Sequence, residues 1–569
     1  MFVGDIKKDF YGELIGKRIL LLVNHDVDAI CACRILHCLL RADSVVYTLV
    51  PIEGIKDLET AYKENSDQVK CVVLINCGGN IDIVEALQPE EDVKFFILDS
   101  HRPFDVCNVY NNTQVFLVSN EEDGIPEFDQ IFRDDESEEE NEESEGSGEK
   151  ESRQAKRRRL GEEAILKRRE RRLWEENRNR IMFEYTQFSY YGRSSAVEMF
   201  ELAWKLSKDD NEMLWWCIVG VTEQLLMGKI ENQQYVLETG NLQNHVARLS
   251  QHQNMPDDDF GNDEIQRLCP KLKITYTKDL LLALYRHWTV ESSLRYSVYP
   301  SCKLRLWTLK GEKKMNELLV EMGLPLAQSR QKFSSMDLDL RQEFHSKMEK
   351  MGEKYEMDGI VYASFTLQHG FRGRYCAADV VYAMLALLEH TGKDRLPADC
   401  FMDALDCLSR NKRDVLEDGI EKAKKLLMCI FRHVQSMLEM RLVISAGPFL
   451  YMVLQEGSID VKMFSRPHSL ALLAQFALQA YVAVSRNKKA HGLPMVASAP
   501  LDPSEGTCLV VGVPPVSEDS PKNFFGKAFE QAAIKIRARM TMDCFDTSIV
   551  QLKTDDRAKF FDALTTLLS

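Results

Sequence analysis

The chain has 569 residues, 45% of them hydrophobic and 28% charged, and a formal net charge of −16; this is room for several domains at about 100–200 residues each and excludes a small disulfide-stapled module. An acidic balance of this size also excludes a protein that coats nucleic acid over its whole surface. The 15 cysteines are odd in number and scattered without a CxxC pair, no run approaches about 18 apolar residues, and the start lacks a signal peptide's pattern, so a soluble intracellular chain with reduced thiols is expected.

Residues 18–23, 45–50, 71–75, 93–98 and 115–118 are short apolar runs that read as strands, separated by helix-like stretches at 29–40, 54–65 and 81–87. Continuous apolar strands joined by crossovers predict a parallel sheet covered on both faces. Such an α/β domain binds ligands at the carboxyl ends of its strands.

Residues 134–151 hold eleven acidic residues and one basic residue, so this tract carries −10 and the other 551 residues carry −6. With Ser, Gly and Asn between the charges it cannot bury enough surface to offset chain entropy, and a disordered insertion is expected. Ser137 precedes three glutamates, a context suited to an acidophilic kinase. The sign then reverses at Lys156, Arg157, Arg158 and Arg159 and again at Lys167, Arg168, Arg169, Arg171 and Arg172. Two such clusters match a bipartite nuclear import signal and equally fit a nucleic-acid patch; import is favoured over a solvated helix face whose glutamates pair with the arginines.

Ser195 and Glu198 have the spacing of a capping box, followed by Val197, Phe200, Ala203, Trp204 and Ser207 as a helix face expected to pack on the sheet. Residues 213–221, apolar all round, predict a buried helix. The segment from about 235 to 410 reads as mainly helical, with helices expected at 278–285, 313–322, 337–351 and 377–388. From about 415 alternation returns: helices at 415–440, 469–484, 523–540 and 556–568, and strands at 442–445, 449–454, 495–497, 507–511 and 548–552. This predicts a second α/β domain.

Three strands of the first domain end in polar residues: Asn24 to Asp28, Asn76 to Gly78, and Asp99 to His101. Asp and His converging on neighbouring strand ends suit a two-metal site that hydrolyses phosphodiesters. For Asp26 and Asp28 the alternative is capping of backbone amides, with Asp28 where an N-cap would sit. In order and spacing the motifs resemble the DHH phosphoesterases, particularly the RecJ single-strand exonuclease branch. The equivalents Asp26, Asp28, Asp99 and His101 are kept, whereas Asn24, Asn76 and Ser100 depart from the family pattern. A bridging position needs a carboxylate, since a neutral amide supplies no charge to offset two cations. The partner domain's Gly-Gly-Gly-His-x-x-Ala-Ala element corresponds to residues 526–533, where Gly526, Ala532 and Ala533 remain and Phe529 replaces the His. Lys527 is placed to meet a phosphate, and Phe529 to face the core.

The eroded motifs, the insertion, and stretches such as residues 100–103, 447–451 and 464–467 are similar to the cell division control protein 45 family, eukaryotic relatives of RecJ. The resemblance implies an α/β fold: two α/β domains, DHH-like with a parallel sheet and DHHA1-like, joined by a mainly helical interdomain. It divides the chain into 1–133, the first part of the DHH-like domain; 134–155, the acidic insertion; 156–234, helices completing that domain; 235–414, the interdomain; and 415–569, the DHHA1-like domain. It implies a nuclear, non-catalytic subunit of the replicative DNA helicase, without cofactor or metal, joining the MCM ring and the GINS tetramer and meeting initiation factors and replicative polymerases. The absence of a GxxxxGK[ST] loop agrees that the chain is not the motor. Such a subunit would brace the ring and catch escaping single-stranded DNA. The alternative is an active RecJ-type nuclease using Asp26, Asp28, Asp99 and His101. For weak single-strand binding the candidates are Arg466, Arg486, Lys488, Lys489 and Lys527, with His491, Lys535, Arg537 and Arg539 nearby.

Overall fold

The structure, a computed structural model, describes residues 1–66, 69–120, 124–133, 153–254, 272–369, 373–392, 395–485, 488–516 and 522–569. The acidic tract at 134–151 and Arg486 lie outside these residues. The chain forms two compact units, Met1–Ser119 with Ser189–Ser569, and Asn120–Phe188.

In the larger unit, β1 (Ile19–Asn24), β2 (Tyr47–Ile52), β3 (Cys71–Ile75), β4 (Lys94–Leu98) and β5 (Val115–Leu117) form one sheet in the order β2-β1-β3-β4-β5. All its pairings are parallel, with Leu21 facing Leu49 on one side and Val73 on the other. Every residue of β3 is buried, as expected for a strand covered on both faces. The first crossover helix, α1 (Val27–Ala42), starts at Asp26, whose carboxylate accepts from the Ala29 amide. The next, α2 (Ile55–Asn65), follows Gly54.

The smaller unit contains the short helix Phe128–Ile131 and the 34-residue helix α3 (Arg153–Thr186). Within it, Trp174 Nε1 donates to the Asp129 carbonyl at 3.3 Å and Arg178 Nε to the Ile131 carbonyl at 2.9 Å. Arg168, Arg169, Arg171 and Arg172 are exposed on α3, with Arg171 paired to Glu175 at 3.0 Å.

In the larger unit the chain continues through α4 (Ser195–Lys205), α5 (Asn211–Leu226) and α6 (Asn232–Asn254). The expected buried helix at 213–221 is α5, whose residues from Met213 to Gln224 are all buried. Two expectations for α4 are corrected. Its N-cap is Ser194 rather than Ser195, the Ser195 hydroxyl donates instead to Asn76, and Glu198 pairs with Arg193. Its main neighbours are α1 and α5 rather than the sheet, and this leaves Trp204 47% exposed.

The helix expected at 278–285 is also corrected. Residues 273–280 form β6 (Lys273–Leu280), antiparallel to β7 (Val361–His369), which in turn pairs with β8 (Gly373–Cys376). Thr275, Thr277 and Tyr276 suit a pleated surface, and Asp279 closes the strand by accepting both Arg286 amines at 2.7 and 3.0 Å and the Tyr285 hydroxyl at 2.9 Å. The helices α7 (Val298–Leu304), α8 (Leu309–Glu321) and α9 (Ala377–Leu388) complete this mainly helical region with others, and the amphipathic α10 (Arg413–Glu439) packs on α9.

The last sheet holds β9 (Ile444–Ser445), β10 (Leu450–Val453), β11 (Met495–Asp502), β12 (Thr507–Val513), β13 (Met540–Thr541) and β14 (Ile549–Lys553), ordered β9-β10-β11-β12-β14-β13. One pairing, β10 with β11, is parallel and the others are antiparallel. Alternate residues enter different cores: Met495, Ala497, Leu509 and Val511 join the main core, and Val496, Cys508 and Val510 a second one. This period of two lets α11 (Pro467–Val484) cover one face while α12 (Phe525–Ile536) and α13 (Arg557–Leu568) supply the second core. Phe529 is fully buried there beside Phe525 and Phe560.

Candidate functional site

The carboxyl ends of β1, β3 and β4 bring the three predicted polar motifs together. Asn24 Nδ2 donates to Asp26 Oδ2 at 2.8 Å, and the other Asp26 oxygen caps α1 at Ala29. Asn76, at the end of β3, has a φ of +51°, a left-handed conformation that Asn tolerates better than most residues. There its carboxamide lies between the strands. Nδ2 donates to Asp26 Oδ1 at 3.1 Å and Asp28 Oδ2 at 3.2 Å, while Oδ1 accepts from the Ser100 amide at 3.1 Å and the Ser195 hydroxyl at 2.5 Å. The Ser100 amide can only donate, so it fixes which end of the carboxamide faces the two aspartates.

Asp28 is not the N-cap of its own helix; Asp26 is. Its carboxylate instead closes the start of α4, accepting from the Ser194 hydroxyl at 2.5 Å and the amides of Ser195 at 2.9 Å and Ala196 at 3.1 Å. Burial pushes its proton affinity up, as does the neighbouring Asp26, against those three donors. At the end of β4, Asp99 accepts from the Gly79 amide at 2.8 Å, the His101 amide at 2.9 Å and His101 Nδ1 at 2.7 Å. Burial opposes ionisation of this pair, and their mutual attraction outweighs it: Asp99 is held below and His101 above its ordinary value. Ser100 offers its carbonyl to the Gly192 amide at 2.7 Å.

These residues do not fit a divalent cation. Asp26, Asp28 and Asp99 are 2%, 1% and 4% exposed, and their oxygens already face amide, hydroxyl and imidazole donors. A metal bridging Asp26 and Asp28 would have to displace the Asn76 amide, which directs hydrogen at both. Among the described residues, the group whose ligand atoms lie within 4.8 Å of one another is Asp82, Asp105 and Cys107, elsewhere in the fold, where both carboxylates cap short helices.

A cleft of about 770 Å³ lies in front of the pocket, between the first and last sheets, lined among others by Asp26, His101, Tyr191, Lys229, Arg466 and Asp546. Sequence reasoning missed several of its residues. Lys229 Nζ pairs with buried Glu223 at 2.8 Å and lies 4.9 Å from the centre of the Tyr191 ring. Tyr191 donates to Asp546 at 2.8 Å, a contact between residues 355 apart in sequence. Beside the cleft residues Asp543 and Phe545, the Ile55 amide donates to the Asp543 carbonyl at 2.8 Å, the Lys56 backbone amide to the Asp543 carboxylate at 3.0 Å and the Asn80 side chain to the Phe545 carbonyl at 2.6 Å. A Gly54 Cβ would stand 2.7 Å from the Asp543 carbonyl oxygen, which explains the glycine.

The proposed nucleic-acid residues are dispersed. Arg466 pairs with Glu53 at 2.5 Å in the cleft, and Lys527 pairs with Glu530 at 2.6 Å on α12. Lys488 and Lys489 open a short 3-10 helix at Lys488–Gly492.

The larger unit thus carries two α/β sheets and a mainly helical region, and its acidic strand-end pocket is filled by its own hydrogen-bond donors. A family model for CDC45 matches residues 19–149 and 119–567, and the chain belongs to the cell division control protein 45 family. It is 44% identical to the cell division control protein 45 homolog of Homo sapiens and 45% to that of Mus musculus, covering 100% of each chain in both comparisons. The crystal structure of CDC45 from Entamoeba histolytica has the same fold, with a TM-score of 0.70 at 22% identity over 100% of both chains.

Proposed function

We propose that the chain is a non-catalytic subunit of the eukaryotic replicative DNA helicase, joining the MCM ring and GINS to activate unwinding. The observation that carries the non-catalytic part is the Asn76 amide between Asp26 and Asp28, where metal hydrolysis of phosphodiesters needs cations and a bridging carboxylate. Family membership supports the helicase part. Weak single-stranded DNA binding and nuclear import through the basic residues of α3 belong to the same reading.

Reconstitution tests it. Unwinding by purified MCM and GINS is expected only when this chain is added, with no cleavage of labelled single-stranded DNA in Mn²⁺ by the chain alone. Cleavage abolished by Asp26→Ala would establish the nuclease instead, and unwinding at full rate without the chain would remove it from the helicase.

A further inference from the structure

The junction of α7 and α8 is a basic island in an acidic protein. Lys303, Arg305, Lys310, Lys313 and Lys314 are all exposed, and among the described residues none of them makes an ion pair with a carboxylate within 4 Å. The one acidic residue among residues 303–314, Glu312, is held by Arg295 at 2.7 Å. Lys303 and Arg305 sit at the carboxyl end of α7, where cations suit the helix dipole. Lys310 lies in the first turn of α8 and Lys313 and Lys314 in the next. Lys310 therefore opposes the positive end of the dipole, and the three share one face at i, i+3 and i+4 spacing, so they repel one another. Glu312 in the first turn and Glu317, at i+4 from Lys313 and i+3 from Lys314, lessen this cost, and neither makes an ion pair with the three lysines.

The backbone beneath is closely packed. Thr308 caps α8 by accepting from the Gly311 amide at 3.0 Å, and its amide and hydroxyl both donate to the Arg305 carbonyl, at 3.0 and 2.9 Å. A Cβ on Gly311 would stand 2.1 Å from that carbonyl oxygen. The helix start is therefore seated against the end of α7, and the cations share a fixed platform. At the first position of α8, Leu309 is 81% exposed. Of the aromatic rings of the junction, Trp307 is 7% exposed, and Tyr299 is half-buried, its hydroxyl accepting from the Gly359 amide at 2.9 Å and its ring centre 5.7 Å from Lys303 Nζ.

We propose that this platform docks an acidic polypeptide segment of a partner protein, one carrying a bulky apolar residue among its carboxylates. The cations supply charge complementarity, the helix start favours anions, and Leu309 supplies the apolar contact. Single-stranded nucleic acid fits less well, because it binds through open aromatic platforms as well as cations.

The test uses the full chain and two fluorescent probes, a peptide of Asp and Glu around one central Leu, and oligothymidylate. The peptide is expected to bind at low salt, with Lys310→Glu/Lys313→Glu/Lys314→Glu weakening it at least about tenfold and Leu309→Ser a few-fold. Oligothymidylate affinity is expected to change by less than about twofold. The unfolding temperature of the triple variant is measured alongside, and a value within about 2 °C of the parent's shows that lost binding does not come from lost folding. Absence of peptide binding, or equal binding by the triple variant, overturns the proposal. A loss confined to oligothymidylate overturns it in favour of nucleic acid.

Discussion

The Asn76 carboxamide nitrogen stands 3.2 Å from Asp28 Oδ2, joining two residues from neighbouring strand ends where hydrolytic chemistry would require a cation. The contact turns a potential ligand set into a hydrogen-bonded one. Two adjacent buried carboxylates are tolerated because amides and hydroxyls solvate them.

Replacing the amide should expose this balance. Asn76→Asp puts a third carboxylate against Asp26 and Asp28 and removes both donors, with an expected loss of about 3 kcal/mol in a chelator. Millimolar Mn²⁺ should raise the unfolding temperature of this variant and leave the parent unchanged, as calorimetry with and without metal would show. A parent stabilised by Mn²⁺ would show that the pocket takes a cation as it stands.

Asp28 holds the start of a helix distant in sequence. Asp28→Ala should cost about 2–3 kcal/mol, as expected for lost hydrogen bonds to a charged group. Amide hydrogen exchange should accelerate at Ser195 and Ala196 before it does in α5. Exchange unchanged at those amides would show that packing alone seats the helix.

The Asp99–His101 pair makes stability depend on pH. Folded His101 has a raised proton affinity because the charge and hydrogen bond of Asp99 outweigh burial. Its contribution is therefore full below the unfolded value of about 6.5 and is lost as pH rises through the higher folded value. Asp99 is held below its usual value, so its contribution is present above about pH 4 and is lost as pH falls through the folded value. Burial raises Asp28, which also disfavours the folded state as pH rises. The pair's window runs from about pH 4 to 6.5. The unfolding temperature should be about 2 °C higher at pH 6 than at pH 8.5, and His101→Gln should remove most of the difference. A parent more stable at pH 8.5 would refute this.

Gly54 permits the cleft's rim to close. Its φ of −166° is extended, open to any residue, so the constraint is steric. Gly54→Val must push back the Asp543 carbonyl, which a Cβ would meet at 2.7 Å. A loss of about 1–3 kcal/mol is expected, with faster exchange at residues 543–546. Unchanged exchange there would mean that the rim yields without opening.

The parallel sheet was legible from sequence because its strands are continuous apolar runs, and β3 occupies the predicted residues. The crossovers followed from the same pattern, so Asp26, Asn76 and Asp99 could be placed at one edge. The strand β6 was not legible, because Leu280 to Tyr285 favour a helix locally while Thr275 and Tyr276 find partners on β7 only through long-range pairing. Nor was the use of Asp28. Its donors, Ser194 to Ala196, are up to 168 residues away in sequence, and only the packing of α4 on α1 delivers them. The sequence by itself determined which polar groups stand at the strand ends, because hydrophobic periodicity sets strand boundaries. Tertiary structure decided what those groups bind, because hydrogen bonds depend on positions in space that periodicity does not encode.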